Sequence, residues 1–118
     1  MADDKMVVLA KKLLSRTKEG KLHWEMTSHD DVYQVAFANY VVRLLSRAGS
    51  EGPEIDYIMQ ILNERGQLVD EVSDVDLTRL MASGETMFPA MRDLYDLARR
   101  TAMGVEQALT TLLDELDG

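Results

Sequence analysis

The sequence predicts an α+β domain in which an N-terminal helix leads into a four- to five-stranded antiparallel meander, followed by a C-terminal helical segment bent or broken near Gly104. Three observations carry that expectation. Apolar residues recur at three- and four-residue steps at both ends of the chain, the period falls to two in between, and the intervening Gly, Pro and Asn clusters are short enough to be turns. With 118 residues, the chain is long enough for one hydrophobic core and too short for two, so residues 1–118 are read as one domain.

From Asp4 to Thr17 the residues Met6, Leu9, Ala10, Leu13 and Leu14 keep helical phase, with Lys5, Lys11, Lys12 and Arg16 mostly between them. Asp3 or Asp4 supplies an N-cap and Gly20 a stop. From Lys21 to Thr27 alternation sets Leu22, Trp24 and Met26 against Lys21, His23, Glu25 and Thr27, the pattern of a first strand. Ser28 to Asp31 is a polar turn, and Val32 to Phe37 is rich in strand formers. A tight connection at Ala38-Asn39 then separates this strand from a third at Tyr40 to about Arg47, unless the two form one long bent strand.

Ala48 to Pro53 is the clearest loop, and the strands on either side of it are expected to pair. Ile55–Leu62 and Gln67–Val72 flank Asn63-Glu64-Arg65-Gly66, where Gly66 provides the positive φ of a short hairpin loop. Asp74 to Glu85 is a polar crossing with room for a short helical turn. Pro89 suits the first turn of a helix, after which Leu94, Leu97, Ala98, Thr101, Val105, Ala108, Leu109, Leu112 and Leu116 hold helical phase. Gly104 interrupts this run, hence the bend or break.

Two strands are apolar on both faces: Tyr40, Val42 and Leu44 oppose Val41 and Leu45, and Tyr57, Met59 and Ile61 oppose Ile58 and Leu62. Both faces of the sheet should therefore be partly covered, either by helices on opposite faces or by helices on one face and a second subunit on the other. No internal repeat or low-complexity segment is evident.

Composition excludes several functions. The balance of 46% hydrophobic and 29% charged residues is that of a folded domain. The chain contains no cysteine, which removes disulfides, thiol nucleophiles and thiolate metal sites and suits a cytoplasmic location. The opening Met1-Ala-Asp-Asp-Lys has acids where an export signal needs bases, and no apolar run approaches the ~20 residues that span a bilayer. A net charge of −8 opposes direct nucleic-acid binding.

No phosphate-binding glycine motif is present, and Ser46, Ser50 and Ser83 lack the surroundings of a nucleophile. No catalytic residue, metal site or cofactor is assigned. Without cysteine, a metal or acid-base site would have to combine His23 or His29 with Glu25, Asp30 and Asp31 around the first hairpin. Candidate binding residues are Arg43, a cation inside an apolar strand, and Arg92, Tyr95 and Arg99, which share one helical face with Asp96 between the two cations. In these positions guanidinium groups could grip a phosphate or carboxylate and Tyr95 could stack. The alternative for all four is structural: ion pairs and packing.

The stretch Gly20-Lys-Leu-His-Trp-Glu and the ending from Leu94 to Leu116 resemble a widespread group of small uncharacterised bacterial or phage-related proteins with a helix, a short meander and closing helices. The resemblance covers most of the chain. It implies the fold and a bacterial or phage setting, and no residue roles.

The resulting expectation is a non-catalytic binding or interaction protein, a homodimer, with a protein or a small anionic ligand as partner. Two alternatives stand beside it. One is an acidic inhibitor, an immunity or counter-defence factor that enters a basic cleft with Asp70, Glu71, Asp74 and Asp76 or with its acidic C-terminus. The other is a small enzyme built on the His23 and Glu25 hairpin.

Overall fold

In the computed structural model, which describes residues 4–49, 54–82 and 84–118, α1 spans Lys5–Lys18 and opens with Asp4, whose carboxylate accepts the Met6 amide at 2.9 Å. The helix ends where Gly20 takes φ 73°, a backbone state that costs a side-chain-bearing residue. Five strands follow: β1 (Glu25–Met26), β2 (Tyr33–Ala36), β3 (Tyr40–Ala48), β4 (Ile55–Asn63) and β5 (Leu68–Ser73). They form one antiparallel sheet in the order β1-β2-β3-β4-β5, a simple meander. Helices α2 (Asp74–Arg79), α3 (Phe88–Ala102) and α4 (Val105–Asp117) complete the chain. The α+β class and the element order are those expected from periodicity.

Three details differ from the sequence reading or resolve it. The first strand is two residues long instead of seven, because Lys21 to Trp24 does not pair in the sheet and Trp24 turns inward under α1. Strands β2 and β3 are separate, closed by the Phe37 amide donating to the Tyr40 carbonyl at 2.8 Å. At Gly104, φ is 64°, so α3 and α4 are two helices and not one bent helix. The β3–β4 loop falls partly outside the described residues. Its flanking strands pair as expected, from Tyr40 with Asn63 to Ala48 with Ile55.

Strand alternation places Val42, Leu44 and Met59 on one face of the sheet. On that face α3 contributes Met91, Leu94 and Ala98, α1 contributes Val7, Ala10 and Leu13, and α2 contributes Leu77, all buried in one cluster. The helix α3 packs against β1 to β4 and against α1. The opposite face carries Val41 beside Leu62 and Leu45 beside Ile58, separated by a polar row. In that row Arg43 Nε donates to Gln34 Oε1 at 3.0 Å, Gln60 Nε2 donates to Glu71 Oε1 at 2.7 Å, and Arg47 pairs with Glu71 at 3.2 Å. Ile58 and Leu62 of this face are buried but lie outside the main core cluster.

Both edges of the sheet are short or irregular. At one, β1 offers two residues; at the other, the β4–β5 register shifts between Ile61 and Leu62.

Polar groups inside the core are satisfied. Thr17 Oγ1 donates to the Leu13 carbonyl at 2.6 Å and accepts the Trp24 indole N–H at 2.9 Å, which joins the end of α1 to the start of the sheet. Asp74 is buried where β5 gives way to α2, and it accepts the Tyr57 amide at 2.9 Å. Ser73 and Asp76 form the capping box of that helix.

Two predictions follow from these buried groups. Thr17→Val keeps the shape but strands the Trp24 N–H, and urea unfolding should show a loss of about 1–3 kcal/mol. For Asp74, burial pushes the carboxyl above its usual 3.8, with the Tyr57 amide pulling the other way. An acid that holds its proton more tightly when folded stabilises the fold at low pH and loses that contribution as pH rises through its folded value. Asp74→Asn keeps an acceptor for Tyr57, so its stability relative to wild type should increase from mildly acidic to neutral pH. Equal differences at both pH values would contradict this.

Candidate interaction surface

The helix α4 combines an amphipathic sequence with an absence of burial. Val105, Leu109, Leu112 and Leu116 line one side by their three- and four-residue spacing, with Ala108 and Leu113 at its margins. No residue of α4 is buried, and α3 is the element it packs against. Exposure rises outward, from 46% at Leu109 through 54% at Leu112 and 59% at Leu113 to 82% at Leu116.

Its placement follows from Gly104. The apolar phase of α3 would continue into α4 if the helix were unbroken, but a left-handed residue turns the chain at that point. Arg100 at the end of α3 pairs with Glu106 at 3.0 Å across the turn. Beyond Glu106, the charges on α4 are Asp114, Glu115 and Asp117, none of which enters an ion pair among the described residues.

A second apolar feature lies at the β2–β3 turn. Leu9 of α1, Phe37 and Tyr40 at the turn, and Val42 and Ile61 on the helix-covered face of the sheet line a groove of about 350 Å³. Phe37 and Tyr40 are about half exposed. On α1, Lys5 and Lys12 stand four residues before and three after Leu9, so they flank the groove along the same helical face.

The candidate binding residues fall into two places. Arg43 is on the sheet face away from α3, hydrogen-bonded to the Gln34 amide and not to a carboxylate. Arg92, Tyr95 and Arg99 lie along α3 on the other side of the sheet, so the structure does not join Arg43 to them. Arg99 Nη2 meets Asp96 at 2.9 Å, and this hydrogen bond holds the guanidinium still more firmly protonated. Arg92 contacts Asp93 at 3.5 Å and lies 5.8 Å from the centre of the Phe88 ring. Both cations are therefore engaged by carboxylates of their own helix.

Tyr95 has a structural role. Its ring sits 5.6 Å from Tyr33 and 5.4 Å from Tyr57, which is itself 5.6 Å from Phe88. This aromatic row ties α3 to β2 and β4. The Tyr95 hydroxyl donates to the Asp31 carbonyl at 2.7 Å and so holds the β1–β2 turn, where Asp31 has φ 61°. Burial raises the pKa of both phenols, Tyr33 and Tyr95; the Asp31 charge adds to the rise at Tyr33, and a bond with Ser46 opposes it at Tyr95.

At the same turn His29, Asp30, Asp31 and Tyr33 line a cavity of about 240 Å³ together with Met103, and neither His23 nor Glu25 contributes to it. No group of three or more metal-ligating side chains comes together among the described residues. The acids considered for an inhibitory face are mostly occupied: Asp74 is buried, Glu71 is bound by Gln60 and Arg47, and Asp76 closes the α2 cap. The hydrogen bond from Gln60, reinforced by Arg47, holds the Glu71 carboxyl below its ordinary range.

No family model, no curated protein and no solved structure matches this chain. No helix is long and apolar enough among the described residues to cross a membrane.

Sequence reasoning identified the α4 stripe but not the groove. The available signal was the pair Phe37 and Tyr40 flanking Ala38-Asn39, large aromatic side chains on either side of a tight turn. Tyr95→Phe keeps the aromatic row while removing the bond to Asp31, so chemical denaturation should show a loss of about 0.5–1.5 kcal/mol. An unchanged midpoint would show that the hydroxyl contributes nothing to stability.

Proposed function

We propose that this chain is a non-catalytic interaction protein that works as a homodimer in a bacterial or phage setting, with α4 as its principal contact. The observation that carries this reading is the exposed Leu109, Leu112, Leu113 and Leu116 set. A 13-residue helix is marginal in water on its own, and one that presents leucines to solvent gains persistence when the stripe is covered. The reading is also favoured over catalysis by the side-chain geometry: His23 and Glu25 stand apart from the cavity at the β1–β2 turn. On α3 a protein partner is favoured over a small anion because such a ligand would have to displace Asp96 from Arg99.

Removing residues 105–118 should leave the core intact, since α4 buries none of its own side chains in it. Sedimentation equilibrium should find the full chain dimeric and the truncated chain folded, monomeric and unfolding independently of its concentration. A full-length chain that stayed monomeric at high concentration would overturn the proposal.

A further inference from the structure

The apolar stripe and the apolar groove occur on the same chain, and their charges are opposite. The α1 span Lys5–Lys18 contains Lys5, Lys11, Lys12, Arg16 and Lys18 and no acid; the α4 span Val105–Asp117 contains Glu106, Asp114, Glu115 and Asp117 and no cation. These charges border the apolar surfaces. Lys5 and Lys12 flank Leu9 at the groove, while Glu115 follows Ala108 by seven residues and Leu112 by three, along one margin of the stripe.

We propose that α4 of one copy lies in the groove of a second copy formed by Leu9, Phe37, Tyr40, Val42 and Ile61, beside the basic α1, and that the exchange is reciprocal. This rests on the homodimer reading and specifies its interface. Two-fold exchange uses both surfaces of both copies and closes at two, leaving no stripe to recruit a third. The helix is about 20 Å long, so each copy contributes an extended contact, and the two contacts add to one interface. The leucines supply burial; the lysines opposite Glu115 and its neighbours set orientation and speed encounter.

Pairing of α4 with α4 would also cover the leucines, but it places two helices that carry only acids side by side. Like charges at an interface oppose association. Docking on the outer sheet face would set α4 against the Gln34, Arg43, Gln60 and Glu71 row, whose polar groups are already bonded to one another. The groove beside α1 offers an apolar lining next to a helix that carries only cations, and Asp70, the cross-strand neighbour of Ile61, is an acid on its β5 side.

Complementation between two variants tests the pairing. Phe37→Glu places a charge in the groove, and Leu112→Glu places one in the stripe; both side chains are about half exposed in the single chain, so neither change disturbs its core. Circular dichroism and urea unfolding of each variant verify the fold, with Tyr40→Glu as a second groove variant if Phe37→Glu is unstable. The dimer dissociation constant should rise about a hundredfold or more for each variant alone, as expected when a central apolar anchor is replaced by a charge. An equimolar mixture carrying two different tags should regain heterodimer, because the intact stripe of the groove variant meets the intact groove of the stripe variant.

The outcomes separate the inference from the reading beneath it. A wild-type chain that is monomeric throughout removes both. A wild-type dimer lost with Leu112→Glu but kept with folded groove variants leaves α4 as the contact and overturns the groove. Loss in both variants without rescue on mixing overturns reciprocal exchange.

Discussion

The apolar sheet face that carries Val42, Leu44 and Met59 must be covered, and here a single helix meets most of the requirement. Met91, Leu94 and Ala98 of α3 rest on the sheet, and α1 packs against the same helix. Because α3 meets the sheet and the other helices, each of those helices is tied to it: α1 by packing, α2 by Leu77 entering the same cluster, and α4 by direct continuation of the chain. The polar contacts follow the same plan. Thr17 joins α1 to Trp24, and Tyr95 joins α3 to the turn before β2, so each fixes an element whose apolar packing alone would leave its ends free.

The two sheet faces resolve the double apolar pattern of β3 and β4 differently. On the covered face burial is by helices. On the other face Ile58 and Leu62 are buried beside cross-strand neighbours, and the polar row between them is satisfied laterally from Gln34 to Glu71. Cross-strand neighbours on a shared face lie close enough to pack against one another. The exposed leucines of α4 are the larger unburied apolar set.

Much of the fold was legible because periodicity reports which residues share a face. The α1 stripe, the hairpin around Gly66, Pro89 in the first turn of α3 and the break at Gly104 all depend on local geometry. Periodicity does not say what a face meets. The alternation from Lys21 to Trp24 resembled a strand, yet it reflects a side chain packed under a helix. Of the candidate site, the proximity of Arg92, Tyr95 and Arg99 on one helix was readable. Tyr33 and Tyr57, which occupy Tyr95, come from distant strands and carry no local signal. The stripe on α4 was evident in the sequence for the same reason, while its lack of cover is a property of the direction taken after Gly104.

The irregular borders of the sheet have a consequence for how copies of this chain can accumulate. A long straight border with unpaired amides and carbonyls would serve as a template on which further strands could add without limit. One border here is only two residues long, and the other is interrupted by the shift between Ile61 and Leu62, with acidic Asp70 and Glu71 in its strand. Backbone-directed fibre growth is discouraged at both ends of the meander. These irregularities leave little regular backbone on which copies could stack, even though Leu68 and Val69 are exposed beside that border.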